Sequence, residues 1–222
     1  MTKRPHPVVI GTGPSLNECA DAVREAQAVG DVMLFGPNYT YLDFSLDIHL
    51  ACDPALHKYH GKFVLPYTSM WHWDKGICEQ HGYRYIEGCW HDGLWVEDTE
   101  KISYGHSSGW QLLNLAHHYI TWGICSAPIY LVGFDMTYRQ GEPRHYFNNL
   151  SDTDGEYAAP LRKWSLFDKA SQGKPGEGLL FDYMHIANQV RAGECYPIVN
   201  CTPRSAMNER WFPLARFQDV QL

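Results

Sequence analysis

Basic residues are scarce in this chain. Eighteen Lys and Arg stand against 25 Asp and Glu, a formal net charge of −7 over 222 residues. A protein that grips nucleic acid through phosphates needs a basic face, so this balance argues against tight duplex binding. Long apolar runs are missing too: none approaches the ~18 residues that cross a bilayer, which sets membrane insertion aside. The opening residues, Met1-Thr2-Lys3-Arg4-Pro5-His6-Pro7, lack the apolar stretch of a secretory signal. Seven cysteines (Cys19, Cys52, Cys78, Cys89, Cys125, Cys195, Cys201) are an odd number with no C-x-x-C pair. They fit reduced thiols of a cytoplasmic protein, acting as small buried hydrophobes. His57, His60, His91, His117 and His118 match no zinc-ligand spacing, and no zinc site is expected.

What is present is an ordinary globular composition, 45% hydrophobic and 19% charged, enough for one domain over residues 1–222 and not for two. Eight Trp and fourteen Tyr exceed the needs of such a core, so some rings are expected at a cleft or a self-association surface.

Apolar runs rich in β-branched residues predict buried strands at 7–10, 31–35, 47–52 and 62–65, then at 128–132 and 196–200. Helical spacing predicts helices at 16–29, stopped by Gly30, from Ser107 to near Gly123, and at 179–192. Strands alternating with helices imply an α/β fold of Rossmann-like type, with a mostly parallel sheet and helices on both faces. Residues 67–101, dense in Trp, His and Gly, read as long loops with one strand at 83–86. Residues 137–178, polar and broken by Gly and Pro, read as a long loop excursion, a lid over the site. Within the Trp-rich stretch, Trp71, Trp73, Trp90 and Trp95 with His72 and His91 form either an acceptor-side wall that stacks on a ring or a satellite apolar cluster.

In a parallel sheet, ligands sit beyond the carboxyl ends of the strands. Here those ends carry Gly11-Thr12-Gly13-Pro14-Ser15, Asn38, Asp53, Gly133-Phe134-Asp135 and Asn200-Cys201-Thr202-Pro203, with Ser107-Ser108-Gly109 at a helix start. The Gly-Thr-Gly-Pro-Ser turn leads into a helix whose first amides favour an anion. It lacks the third glycine of G-x-G-x-x-G, and Asn38 replaces the acidic residue of dinucleotide sites. No Gly-Lys-Ser/Thr follows, so it is not a P-loop. Asp53 and Asp135 could each bind Mg²⁺ or a ribose hydroxyl, or simply cap the next turn.

Val8-Val9-Ile10-Gly11-Thr12-Gly13-Pro14-Ser15-Leu16 resembles the opening of a Rossmann-like superfamily. One branch holds bacterial sialyltransferases that use CMP-sialic acid; another holds 6-hydroxymethylpterin diphosphokinases of the MptE type, with uncharacterised phage and bacterial relatives. Ser107-Ser108-Gly109, the segment from Ile129 to Met136 and the segment from Val199 to Ser205 extend the likeness over most of the chain, in the right order. The resemblance implies that Gly11, Thr12, Gly13 and Ser15 hold nucleotide phosphates and that Asn38 faces the reacting group. Ser107, Ser108 and Gly109 would lie against sugar or base. Gly133 and Asp135 would close the base pocket, with Asn200, Thr202 and Ser205 beside it. His145 would be the general base and Tyr146 would reach the phosphate. Asp53-Pro54 is closer to the diphosphokinase branch, where an acid helps place Mg²⁺.

The expected function is transfer from a nucleotide sugar, a CMP-sugar foremost, to a hydroxyl on a small molecule or glycan. Diphosphate transfer from ATP with Mg²⁺ is the alternative. A catalytically silent, phage-encoded nucleotide-binding module is the third. None of these calls for a tightly bound cofactor.

Overall fold

The computed structural model describes residues 3–51, 68–105, 107–136, 177–207, 209 and 211–222. Among them a seven-stranded sheet has the order β5-β4-β3-β2-β1-β8-β9. Its strands are β1 (His6–Ile10), β2 (Val32–Pro37), β3 (Ile48–Leu50), β4 (Ser69–His72), β5 (Arg84–Tyr85), β8 (Ile129–Val132) and β9 (Ile198–Asn200). Every pairing is parallel. The helices are α1 (Ala20–Ala28), α2 (Lys75–His81), α3 (Ser108–Thr121) and α4 (Glu177–Ala192). This is the Rossmann-like α/β fold that the alternating runs predict.

The apolar runs are continuous because each central strand is covered on both faces. Successive side chains point to opposite faces, and the packing divides accordingly. Val8, Ile10, Val32, Leu34, Tyr130 and Val132 pack with Leu16, Ala20 and Val23 on one face. Val9, Phe35, Ile129 and Leu131 pack with Leu112, Leu113, Ala116, Tyr183 and Ile186 on the other. Helix α3 is buried almost all round, since twelve of its fourteen residues are inaccessible.

Residues 68–103 correct the loop reading. They form β4, α2, β5 and a separate two-stranded parallel sheet, β6 (Glu87–Cys89) with β7 (Lys101–Ser103). Strand β4 is Ser-Met-Trp-His, without a β-branched residue, and α2 is short with Gly76 inside it. Local propensity is therefore weak in both, and tertiary pairing decides. The cap signals were legible: Asp74 accepts from the Ile77 amide at 3.0 Å, and Gly82 closes the helix at φ 71°.

A two-stranded sheet is marginal by itself, and two amide side chains pin this one. Asn114 of α3, fully buried, accepts from the amides of Trp95 and Ser103 at 2.8 Å each and donates to the Trp95 carbonyl at 2.9 Å. Gln189 of α4 accepts from the Leu94 amide at 2.7 Å and donates to its carbonyl at 2.9 Å. The strand expected at 62–65, and all of the 137–178 excursion except its last two residues, lie outside the described residues; those two already belong to α4.

The described cysteines are free thiols, and all but Cys89 are buried. Burial pushes Cys19, Cys125, Cys195 and Cys201 up to about 12. At neutral pH they are protonated and behave as apolar side chains. No helix among the described residues is long and apolar enough to cross a membrane.

Candidate functional site

The chain starts at β1, adds β2 to β5 on one side, then returns to place β8 and β9 on the other. The order therefore reverses between β1 and β8, which is where an open parallel sheet leaves a crevice at its carboxyl edge. The turns that leave these two strands are bound together there. Gly11 N donates to Val132 O at 2.7 Å, and Gly13 N donates to Gly133 O at 2.8 Å.

That contact explains the glycines. A Cβ on Gly11 would lie 2.7 Å from the Gly133 carbonyl carbon, and one on Gly13 would lie 2.6 Å from Asp135 Cγ. Gly133 itself has φ 69°, in the left-handed region. Ser15, fully buried, donates its hydroxyl to Asp135 Oδ2 at 2.6 Å, and its amide faces the same carboxylate at 3.3 and 3.4 Å. Leu16 N donates to Gly13 O at 3.1 Å. The amides of Gly11, Gly13, Ser15 and Leu16 thus already have protein acceptors. The Asp135 carboxylate thus accepts from both the hydroxyl and the amide of Ser15. Burial raises the Asp135 pKa, opposed by the Ser15 hydrogen bonds and then by Arg204.

The far end of the constellation supports the loop after β8. Thr202 Oγ1 accepts from Phe134 N at 2.9 Å, and Ser205 Oγ donates to Phe134 O at 2.6 Å. Asn200 Oδ1 accepts from Thr202 N at 3.1 Å. Asn200 and Thr202 are fully buried, so both hold the loop from beneath.

Asn38, after β2, meets the start of α3 through Ser108. Ser107 caps α3 by accepting from Trp110 N at 3.2 Å. Ser108 Oγ donates to Asn38 Oδ1 at 3.4 Å. Asn38 has φ 47°, a left-handed conformation that Asn tolerates better than most residues and that costs of order 1 kcal/mol. His49 Nε2 holds it by donating to the Asn38 carbonyl at 2.8 Å. Gly109 lies against Phe134: a Cβ there would be 3.1 Å from the ring. Met136, at φ 53°, is the last described residue before the excursion. Thr12 lies in the same crevice turn and is partly buried. His145, Tyr146 and Asp53 lie outside the described residues.

Sequence reasoning missed Asn114, Gln189 and Tyr104. A lone amide inside Leu112-Leu113-Asn114-Leu115 was the available signal, because a buried amide needs partners. A cavity of about 230 Å³ beyond β9, lined by residues including Cys19, Cys201 and Arg216, lies among Glu18 and Pro203 rather than beside Asn38.

Among the described residues no group of three or more His, Cys, Asp or Glu could hold a metal ion. The adjacent His117 and His118 are buried apart, one against Tyr196 with centroids 4.8 Å apart, the other on Lys101 O at 2.6 Å. Burial, then the neighbouring His118, brings the His117 pKa from 6.5 down to about 4. Between those two values the unfolded chain takes a proton that the folded one refuses. The contribution is therefore fully present above pH 6.5 and is lost as pH falls towards 4, on the order of 3 kcal/mol. Melting temperature measured from pH 7.5 to 4.5 should fall through this window, and His117→Phe should flatten the slope. An unchanged slope in that variant would remove His117 from the account.

No protein-family model matches the chain, and no curated protein matches it. Among solved structures it is similar to the sialyltransferase CstII from Campylobacter jejuni, determined in complex with the substrate analogue CMP-3FNeuAc. The superposition has a TM-score of 0.51 at 13% identity and covers 98% of this chain and 89% of that one. The two chains therefore share a fold over nearly their whole length.

Proposed function

We propose that this chain is a nucleotide-dependent transferase, a glycosyltransferase that moves a sugar from a nucleotide donor, a CMP-sugar, to a hydroxyl acceptor. The observation that carries the reading is the meeting of strained Asn38 with the start of α3 beside the β1–β8 switch point. Strained non-glycine residues concentrate at ligand sites, and α3 directs its positive dipole end at this edge. The same-fold sialyltransferase was solved with a CMP-sugar analogue, which supports cytidine over other bases.

In this reading the nucleotide lies along Thr12, Asn38 and Ser107–Gly109. The acceptor oxygen attacks the anomeric carbon, the bond from that carbon to the phosphate oxygen breaks, and CMP leaves. The acceptor proton passes to His145, and Tyr146 reaches the departing phosphate. Because the Gly13 and Ser15 amides are engaged by Gly133 and Asp135, the end of α3 takes the larger share of the phosphate charge. Ser15 and Asp135 act by holding the turn in place.

The test is a thermal-shift series with CMP, CDP, UDP, GDP, ADP, AMP and ATP, each with and without Mg²⁺. A metal-independent response to a cytidine nucleotide, followed by release of CMP from a CMP-sugar, is the expected result. His145→Ala should then lower kcat about 10²–10⁴-fold. A Mg²⁺-dependent response to ATP or AMP would favour diphosphate transfer with Asp53 near the metal. Nucleotide binding without turnover, indifferent to His145→Ala, would favour the silent module.

A further inference from the structure

Strand β3, Ile48-His49-Leu50, is paired with β2 and β4 on either side, and a histidine is unexpected in such an apolar strand. His49 is 2% exposed. A buried imidazole costs desolvation unless its nitrogens find partners, so its place there calls for a reason. The ring directs Nε2 at the carbonyl of Asn38, 2.8 Å away. A carbonyl oxygen only accepts, so Nε2 carries a proton. Tyr41 meets the ring edge-on, with centroids 5.8 Å apart at 76°, and steadies its plane.

Asn38 is a residue that needs such a hold. It directly follows β2, where the chain bends out of the strand into the turn Asn38–Leu42, and it has φ 47°. A left-handed conformation lies uphill for a residue with a Cβ and persists only where its surroundings over-determine it. The turn is closed by Thr40 Oγ1 donating to Pro37 O at 2.7 Å and by Phe44 N donating to Thr40 O at 3.0 Å. Gly36, the register partner of His49, makes room for it: a Cβ there would lie 2.7 Å from Leu46 Cδ1. None of these contacts sets the direction of the Asn38 carbonyl; the His49 bond does. With the backbone fixed, the side chain is aimed too, its Oδ1 accepting from Ser108 Oγ at 3.4 Å. Asn38 Nδ2 has no hydrogen-bond partner among the described residues. It leaves two N–H donors beside the start of α3 for the oxygens of a ligand.

We propose that His49 is a positioning residue of the nucleotide site: itself buried, it holds Asn38 in the backbone conformation that presents the carboxamide to the nucleotide. This rests on the transferase reading and adds to it a residue that acts only through another. Without the Nε2 donor, Asn38 relaxes to negative φ, and the apparent affinity falls with the fraction of molecules still competent to bind.

The experiment is calorimetric titration of the full chain with CMP, for the parent, His49→Gln and His49→Leu, each well below its own melting temperature. Leucine fills the space without a donor; the glutamine Nε2 lies the same number of bonds from Cα as the histidine Nε2. His49→Leu should weaken CMP binding about tenfold or more, while His49→Gln should stay within about threefold of the parent. Gly30→Ala strains a turn at the opposite end of β2 and should bind CMP as the parent does, which separates the effect from loss of stability. Long-range ¹H–¹⁵N NMR, with His49 assigned by the signal missing from His49→Gln, should show a protonated Nε2 with and without CMP.

CMP affinity unchanged in His49→Leu overturns the positioning role and leaves the transferase reading standing. So does a loss that glutamine fails to rescue, which would make His49 a packing residue, and so does a proton found on Nδ1 alone. Absence of CMP binding in the parent chain removes the nucleotide reading itself and the positioning role with it, so the two failures are distinct.

Discussion

Gly11→Ala should destabilise the protein by roughly 3 kcal/mol or more and abolish the nucleotide response together with it. The new methyl would press on backbone, 2.7 Å from the Gly133 carbonyl carbon and 3.0 Å from the Phe134 ring. No rotamer relieves such a clash, because the methyl is fixed by the backbone. The turns after β1 and β8 must separate, and three bonds strain together: Gly11 to Val132, Gly13 to Gly133 and Ser15 to Asp135. Native stability is typically only about 5–15 kcal/mol, so a melting temperature lower by roughly 6–12 °C is expected for a chain of this size. Gly30→Ala is the control. Gly30 has φ 82° with nothing within 4 Å, so that change should cost only about 1 kcal/mol. If Gly11→Ala melted within about 2 °C of the parent chain, the interlocked turns would not be a structural keystone.

Asn114→Ala should cost about 4 kcal/mol and act first on the small sheet. Its side chain satisfies the Trp95 and Ser103 amides and the Trp95 carbonyl, at a position with no solvent exposure. Alanine replaces none of these, and each buried backbone group left unpaired costs about 1–3 kcal/mol. Asn114→Asp keeps an acceptor for the two amides but loses the donor to Trp95 O and buries a charge, so it should rescue little. Hydrogen exchange separates this from general loosening. The Trp95 and Ser103 amides should lose protection well before those of β1 and β8. Uniform loss across both sheets would argue against a local clamp.

The main strands were legible because burial on both faces leaves a continuous apolar run, as in Pro7–Ile10 and Pro128–Val132. Helices α1 and α3 were legible from their spacing and from Gly30 and Ser107 at their ends. Strand β4 was not, since Ser-Met-Trp-His owes its conformation to β3 and β5 on either side. The described candidates at the strand ends, Gly11–Ser15, Asn38, Gly133–Asp135 and Asn200–Pro203, follow their strands as a parallel sheet places them. Their partners could not be read: Ser15 and Asp135 are 120 positions apart, as far as no local pattern reaches.

Composition, period and turn residues by themselves determined that this chain forms a parallel α/β sheet with polar loops gathered at one edge. Those properties depend on neighbours within a few positions, and local sterics with the burial of apolar runs are enough to set them. Only the tertiary structure decided that Gly11 and Gly13 make room for the neighbouring turn, that Asp135 takes the Ser15 hydroxyl and amide, and that the rings of Trp73, Tyr104 and Trp90 meet. Each of these depends on close packing between segments distant in the chain, where a shift of less than an ångström separates a hydrogen bond from a clash.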